Sequence, residues 1–530
     1  MKLVTVSEMK TIEREANERG HTFDLMMEKA GCGLADIVDN IYRHDRRRGV
    51  LGLVGSGNNG GDTLVSLTNL AKRGWLASAY IVKHRVVDDP LILQLKETGS
   101  EVFFIENDPG LPSLKKLVSK NRVILDGVLG TGIKLPLHGE IAKILAIVRD
   151  LVNTLSDPHI VVAVDCPSGV DCDRGEAAPE CIPATLTVTM AAVKAGLMKF
   201  PAYSLAGKIM VAGIGLTDEI ASWTSIKRIV VDREWVHEKL PPRPDDAHKG
   251  TFGTALIVAG SVNYTGAALL AGKAAYLSGV GLVTLAVPGT IHGALAGQFP
   301  EATWVLLPDR DGVIAENGSL VLLENIERAT AMLIGPGFGL QDSTEQFLFR
   351  VFYEKSRKNR DDSSLTDLPP LVMDADGLKL LSKFSEWHHH IQPHTVLTPH
   401  PGEMSVLTGI PTAEIQANRL EIAERFAAKW GHILVLKGAF SIVASPDGRT
   451  ALIPVASAAL ARAGTGDVLA GLIVGLRAQG IEAYDAAVVG AWIHAQAGLE
   501  AAEMTGNTAT VLAGDILTGI VKVFKTMASE

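Results

Sequence analysis

Twice along this chain, short β-branched apolar runs alternate with longer stretches of helical periodicity, and that alternation constrains the fold more than any other feature. The runs Val50 to Val54, Arg122 to Leu125 and Ile160 to Val164 are too short for helices and are spaced by segments long enough for crossover helices. This is the pattern of a parallel sheet covered by helices, so the first half reads as α/β. The alternation resumes at Ala255 to Val258, Ala331 to Ile334, Leu371 to Met373 and Ile433 to Leu436, with no internal repeat relating the halves. At 530 residues the chain exceeds one ordinary core. Between the halves, Leu216 to Ala247 lacks sustained periodicity and ends in Pro241-Pro242-Arg243-Pro244-Asp245-Asp246, which excludes regular structure there. We therefore expect one domain over 1–216, a linker over 217–247 and a second α/β domain over 248–530. A polar stretch from Glu354 to Pro370 reads as a surface insertion without chemistry.

Composition enters mainly as exclusion. With 47% hydrophobic and 21% charged residues the chain is neither disordered nor fibrous. Its net charge of −9, spread along the sequence, offers no electrostatic footprint for nucleic acid, and the one basic cluster, Arg46 to Arg48, reads as a solvated loop or helix end. The four cysteines form no C-x-x-C pair and suit a reducing compartment. Met1 to Arg19 mixes charges with apolar residues at helical spacing, unlike a signal peptide, and no apolar run reaches the ~18 residues of a membrane span. A soluble, cytoplasmic protein without membrane or nucleic-acid partners is expected.

After the Val50 to Val54 run comes Gly55-Ser56-Gly57-Asn58-Asn59-Gly60-Gly61-Asp62, followed by helical periodicity from Leu64 to Lys72. Glycines at a strand-to-helix turn allow close backbone approach, and free N–H groups at a helix start attract anions. The G-x-G-x-x-G spacing alone is weak evidence, because the acid expected about 20 residues on is absent and Lys83 and Arg85 stand there instead. Two more strand ends carry carboxylates, in Asp126-Gly127-Val128-Leu129-Gly130-Thr131-Gly132 and Val164-Asp165-Cys166-Pro167-Ser168-Gly169. Each aspartate alone is more often a turn or cap residue; three such strand ends together mark a site.

These three motifs, with Leu25 to Gly31 and Thr187 to Gly196 including Lys194, resemble the NAD(P)H-hydrate epimerases over nearly the whole first half. The resemblance implies a Rossmann-like three-layer αβα fold. It implies that Asn59, Asp126 and Ser168 hold a potassium ion, whose hardness suits oxygen ligands. It also implies that Asn58, Asn59, Gly60, Gly61 and Asp62, then Gly130, Thr131, Gly132, Ile133, Lys134, Leu135 and Pro136, and Asp165 surround a hydrated nicotinamide nucleotide. Asp165 is the candidate acid/base for inversion at C6, by proton transfer or reversible ring opening. One position departs from the family: Thr63 follows Gly-Gly-Asp where glycine is usual, and a positive φ there would strain it.

In the second half, Ala463-Gly464-Thr465-Gly466-Asp467 leads directly into the apolar stretch Val468 to Leu476. A loop of this kind stabilises charge in phosphoryl transfer, and an aspartate at its turn can take a proton from an attacking hydroxyl. By spacing alone the aspartate is also an ordinary helix cap. The loop resembles the anion hole of ribokinase-like enzymes. His248-Lys249-Gly250, Tyr264 to Ala268, Gly335-Pro336-Gly337-Phe338-Gly339, Thr398 to Glu403 and Lys437-Gly438 narrow the resemblance to the NAD(P)H-hydrate dehydratases of that superfamily. A ribokinase-like α/β fold follows from it. The resemblance implies that Ala267, Gly339 and His400 contact the hydrated nucleotide and that Asp467 meets its reacting hydroxyl. Lys437, Gly438, Ala439, Phe440, Ser441, Gly464, Thr465 and Gly466 would bind the adenine nucleotide.

Other polar residues have blander readings. His400 and Glu403 have metal-like spacing, but Pro399 and Pro401 argue against the helix that would align them. His388-His389-His390 reads as solvated surface rather than a metal site, and Asp374 and Asp376 either orient magnesium or cap a turn.

The expected function is repair of hydrated NADH and NADPH: epimerisation in the first domain, and dehydration driven by magnesium with ADP or ATP in the second. By family analogy a homo-oligomer is expected. The rival reading is a ribokinase-like small-molecule kinase carrying a non-catalytic N-terminal binding module.

Overall fold

The structure, a computed structural model, describes residues 1–86, 88–154, 158–354 and 368–528. It forms two compact units, Met1–Arg228 and Ile229–Glu530. The expected insertion over 354–370 lies, from 355 to 367, outside the described residues.

The first unit is built on a seven-stranded sheet in the order Glu101–Phe104, Ala77–Ile81, Val50–Val54, Val123–Gly127, Ile160–Val164, Leu186–Met190, Lys208–Ala212. Every pairing is parallel. The central strands are buried throughout, which is why they read as unbroken apolar runs rather than alternating ones. Strand order reverses between Val50–Val54 and Val123–Gly127, where Leu53 faces Asp126 and Val54 faces Gly127. At such a reversal the following segments diverge and leave a crevice beyond the carboxyl ends of the strands. A two-residue parallel pair, Leu3–Val4 with Val193–Lys194, brings the helix Val6–Glu18 to this unit, capped by Thr5 and Glu8 in a capping box.

The helix expected from Leu64 begins instead at Asn58 and runs to Lys72, so Asn-Asn-Gly-Gly-Asp is helix rather than loop. Packing overrides glycine's poor helix propensity here. A Cβ on Gly60 would lie 2.0 Å from the Gly55 carbonyl oxygen, and one on Gly61 would lie 2.4 Å from the Met27 sulfur. Thr63 sits inside this helix and is not among the residues with positive φ, so the feared strain is absent. Its hydroxyl donates to the Asn59 carbonyl at 2.7 Å, and it packs into space left by Gly52 and Gly127.

The second unit holds a ten-stranded sheet in the order Arg228–Val230, Thr450–Leu452, Ile442–Ala444, Ile433–Leu436, Val396–Leu397, Leu371–Met373, Ala331–Ile334, Thr254–Val258, Leu282–Pro288, Thr303–Leu307. It is parallel from Ile433–Leu436 to Thr303–Leu307 and antiparallel through the two hairpin strands Ile442–Ala444 and Thr450–Leu452. Its reversal lies between Thr254–Val258 and Ala331–Ile334. Helices Thr265–Leu277 and Thr465–Ala478 meet backbone to backbone, since a Cβ on Gly471 would lie 2.2 Å from the Ala271 carbonyl oxygen.

The expected linker is more ordered than its sequence suggested. Within it lie helices Ala221–Thr224 and Arg233–Lys239 and the strand Arg228–Val230, each too short to produce visible periodicity, with Asp232 capping the second helix through Trp235 N at 3.0 Å. The Pro-rich end, 241–246, is neither helix nor strand. Among the described residues the four cysteines are free, and no helix is long and apolar enough to cross a membrane.

Candidate active sites

In the first unit, the carboxyl end of Ile160–Val164 delivers Asp165 in the left-handed region, at φ +66°. Its Oδ1 accepts from Met190 N at 2.9 Å, Thr189 Oγ1 at 3.0 Å and the Lys194 ammonium. Lys194 is 1% exposed, so its ammonium is buried, while the Asp165 carboxylate reaches the cavity. Asp165 and Lys194 border a cavity of about 160 Å3 with Asn58, Asn59, Asp62 and Thr131 and the apolar side chains of Met9, Met26, Met27, Met190 and Ile214. The polarisable methionines form a yielding apolar wall. Asp62 is buried and lacks a hydrogen-bond partner among the described residues; burial, with the charge of Asp165 added, holds its carboxyl well above the usual carboxylate range.

Gly60, Gly61 and Gly130 stand behind this wall, where a Cβ on Gly130 would lie 2.6 Å from Asn59 Oδ1. Gly132, Ile133, Lys134, Leu135 and Pro136 continue past Thr131 without lining the cavity. Glu13 does line it and was not anticipated, because only the Leu3–Val4 pairing with Val193–Lys194 brings its helix here. Arg85, found where a dinucleotide fold has its acid, donates to Gly55 O at 3.1 Å and braces the loop.

Asp126 is fully buried and accepts from Ser168 N at 2.8 Å and Ser168 Oγ at 2.6 Å. Burial raises its carboxyl, and no basic side chain pairs with it among the described residues. Asn59 Nδ2 donates to Val164 O at 2.6 Å and Leu129 O at 3.3 Å, leaving its amide oxygen as the free ligand atom. A buried carboxylate without a counter-charge, beside a hydroxyl and an amide oxygen, fits a hard cation such as potassium.

In the second unit, Gly464 at φ +89° starts the helix Thr465–Ala478 without a side-chain cap. Asp467 therefore lies in the first turn and is not the N-cap, so the capping reading does not hold. Burial, then the nearby Asp374 carboxylate, pushes the Asp467 carboxyl up to about 7. Lys437 Nζ donates to Asp374 Oδ1 at 2.7 Å and lies 3.7 Å from Glu403 Oε2. Burial pulls its ammonium down, but these carboxylates outweigh burial and leave it raised. Asp374 also accepts from Thr398 Oγ1 at 2.7 Å, and Asp376 accepts from Gly339 N at 3.0 Å, so both belong to the site.

His400 and Glu403 meet after all. Pro401 occupies the first position of a helix, Pro401–Thr408, where a missing N–H costs nothing, and His400 caps that helix. His400 Nδ1 accepts from Gly402 N at 2.9 Å, and its side chain stays 52% exposed. Ala267 packs under Gly337, whose Cβ would lie 2.8 Å from that of Ala267. A second cavity of about 160 Å3 is lined by Lys437, Gly438, Ala439, Ser441, Thr465 and Gly466 together with His494 and Val455. Phe440 and Gly464 shape the backbone behind it at positive φ. His494 comes from the distant helix Ala483–Thr505, and nothing near it in sequence signals the site. The histidine run is only partly solvated: donor atoms of Glu386, His388 and His389 lie within 4.8 Å of one another, and the His388 side chain is 12% exposed.

Comparison with known proteins follows the same division. Residues 255–522 match the family described as NAD(P)H-hydrate dehydratase, and residues 24–196 match the YjeF-related protein N-terminus family. The chain is 34% identical to the bifunctional NAD(P)H-hydrate repair enzyme of Moorella thermoacetica, covering 100% of this chain and 98% of that one. It is 32% identical to the bifunctional enzyme of Escherichia coli, covering 96% and 92%. Among solved structures, the ADP/ATP-dependent NAD(P)H-hydrate dehydratase of Bacillus subtilis, co-crystallised with ATP and magnesium, is 32% identical, with a TM-score of 0.46 over 56% of this chain and 98% of that one.

Proposed function

The chain belongs to the bifunctional NAD(P)H-hydrate repair enzymes, and from that premise we propose how its residues divide the work. The first unit inverts C6 of hydrated NADH and NADPH, and the second removes the C6 hydroxyl of one epimer at the expense of ADP or ATP. Hydration yields both epimers, so the pair repairs the whole pool.

The dehydratase reading is carried by Asp467, a buried carboxyl raised to about 7 at the start of an anion-binding helix. Near neutrality such a group accepts a proton from the C6 hydroxyl as it attacks the terminal phosphate. The amides of Gly464, Thr465 and Gly466 then face the transferring phosphoryl group, and Lys437 adds positive charge beside them. The hydroxyl becomes a phosphate ester, phosphate leaves with the C6–O electron pair, and loss of a proton from C5 restores the ring double bond. Ala267, Gly339 and His400 hold the hydrated nucleotide, while Lys437 to Ser441 hold the adenine nucleotide. Asp374 and Asp376 are the carboxylates that suit magnesium, which when bound neutralises the phosphates.

In the first unit Asp165 acts as the acid/base for inversion at C6. Asn59, Asp126 and Ser168 hold potassium, which when bound supplies the positive charge that Asp126 lacks.

The test follows the near-ultraviolet absorbance of restored dihydronicotinamide as the protein meets both epimers with magnesium and either ADP or ATP. Complete recovery is expected, partial in Asp165→Asn and absent in Asp467→Asn. A stable phosphate ester as end product would mean a small-molecule kinase instead.

A further inference from the structure

The cavity of the first unit holds two carboxyl groups in opposite circumstances. All three donors to Asp165, Met190 N, Thr189 Oγ1 and Lys194 Nζ, converge on Oδ1, which stabilises the carboxylate and leaves Oδ2 without a donor among the described residues. Asp62 borders the same cavity, is 6% exposed, and has neither a hydrogen-bond donor nor an ion-pair partner among the described residues. A buried carboxyl in that position keeps its proton, and one ammonium cannot serve both. The charged and titratable groups facing Asp62 are Asp165 and Lys194, from the strand ends, and Glu13 and Lys10, from the helix Val6–Glu18. Of these, Asp165 and Glu13 push the proton onto Asp62 and only Lys194 opposes them. Two carboxyls in one cavity, one with three donors on a single oxygen and the other with none among the described residues, are the arrangement of a base and an acid.

We propose that Asp62 is a second catalytic residue of the epimerase half, a general acid that works opposite the general base Asp165 to open and reclose the hydrated ring. The inference rests on the epimerase reading above. C6 of the hydrated ring bears a hydroxyl and is bonded to the ring nitrogen, so it is a masked aldehyde. Asp165 takes the hydroxyl proton and the C6–O bond becomes a carbonyl. The C6–N1 bond breaks, its electron pair goes to N1, and Asp62 delivers its proton there. The freed aldehyde turns about the C5–C6 bond. N1 then adds to the opposite face, returning its proton to Asp62 while the new alkoxide recovers the proton from Asp165. No oxidant or further reactant is needed, and Asp62 and Asp165 end as they began. The side chains of Met9, Met26, Met27 and Met190 along this cavity are flexible enough to yield as the aldehyde turns.

The test uses the full chain without adenine nucleotide, so that the dehydratase is idle, and follows interconversion of the separated epimers by chromatography. Asp62→Asn keeps the shape of a neutral carboxyl but has no acidic proton. It should lower kcat by about 100-fold or more with KM nearly unchanged. Asp62→Glu should recover part of the rate. In oxygen-18 water the inverted product should keep its original oxygen. Interconversion by Asp62→Asn at the wild-type kcat, with only KM raised, would reduce Asp62 to a binding group and overturn the proposal. Obligatory uptake of one labelled oxygen per inversion would overturn ring opening in favour of water loss. Should Asp62→Asn fail to fold, the wild-type pH profile decides: an alkaline loss of kcat that moves in Asp62→Glu supports the acid, and coincident profiles overturn it. A wild-type chain that interconverts nothing refutes the epimerase reading itself.

Discussion

Lys194 and Asp165 form an ion pair with the lysine 1% exposed, and the whole of the pairing falls on one carboxylate oxygen. Such a pair costs more to break than to lack altogether. Lys194→Met and Asp165→Asn should each destabilise the first unit by about 3–5 kcal/mol, because each leaves a buried charge alone. Asparagine tolerates the left-handed backbone at position 165, so strain adds little to the second figure. The double variant should recover much of the loss while remaining inactive as an epimerase. Chemical denaturation of the four proteins checks this.

Dehydration should follow the ionisation of Asp467. A base must be deprotonated to act, so kcat/KM is expected to rise about tenfold per pH unit up to about 7 and then level off. Stability should run the other way. The folded carboxyl sits above its unfolded value, so the native state holds the extra proton between those values and loses stability as pH rises through about 7. Asp467→Asn should abolish turnover and remove that loss between the unfolded carboxylate value and about 7, as thermal unfolding across pH will show.

Potassium should act only on the first activity. Ser168→Ala removes both a proposed ligand and the hydroxyl that donates to Asp126 at 2.6 Å. We expect the potassium concentration for half-maximal epimerisation to rise by at least about tenfold, with dehydration of the pure competent epimer untouched. Wild type, but not the variant, should show a potassium-dependent rise in unfolding temperature, since a ligand of the folded state stabilises it.

Thr63 and Gly127 should be coupled. A Cβ on Gly127 would lie 1.9 Å from Thr63 Oγ1 and 2.9 Å from the Asn59 carbonyl. Gly127→Ala should therefore destabilise by about 1–3 kcal/mol as an overpacking change. Thr63→Gly in the same chain should relieve part of that cost and not all of it, because the Asn59 contact remains. A double-mutant cycle measures the difference.

The strands were legible because parallel strands buried on both faces leave continuous apolar runs, as at Val50–Val54 and Ile160–Val164. The site segments at their ends were legible because Asn-Asn-Gly-Gly-Asp and Gly-Thr-Gly-Asp are local motifs. The start of the helix at Asn58 was hidden, since glycine propensity argues for a loop and only the approach of Gly55 and Met27 explains glycine there. The helix at Pro401 was hidden because proline was weighed as a helix breaker, when at the first position it is compatible. Glu13 and His494 were hidden for a different reason. Each reaches its cavity from an element remote in sequence, Glu13 through a two-residue strand pairing and His494 from a long apolar helix, and neither carries a local signature. The isolation of Asp62 was equally invisible, since a missing partner cannot be read from spacing.

The contact between Gly471 and Ala271 has a bearing on how such a chain tolerates change. Helices Thr265–Leu277 and Thr465–Ala478 begin at the segments that carry Ala267 and Asp467, and they are held together where no side chain intervenes. A single methyl at position 471 would act as a wedge, displacing the turn that carries Ala267 relative to Asp467 although it touches neither. Sequence drift in this protein should accordingly be least forgiven at some positions that contribute no chemistry, where the functional requirement is the absence of an atom.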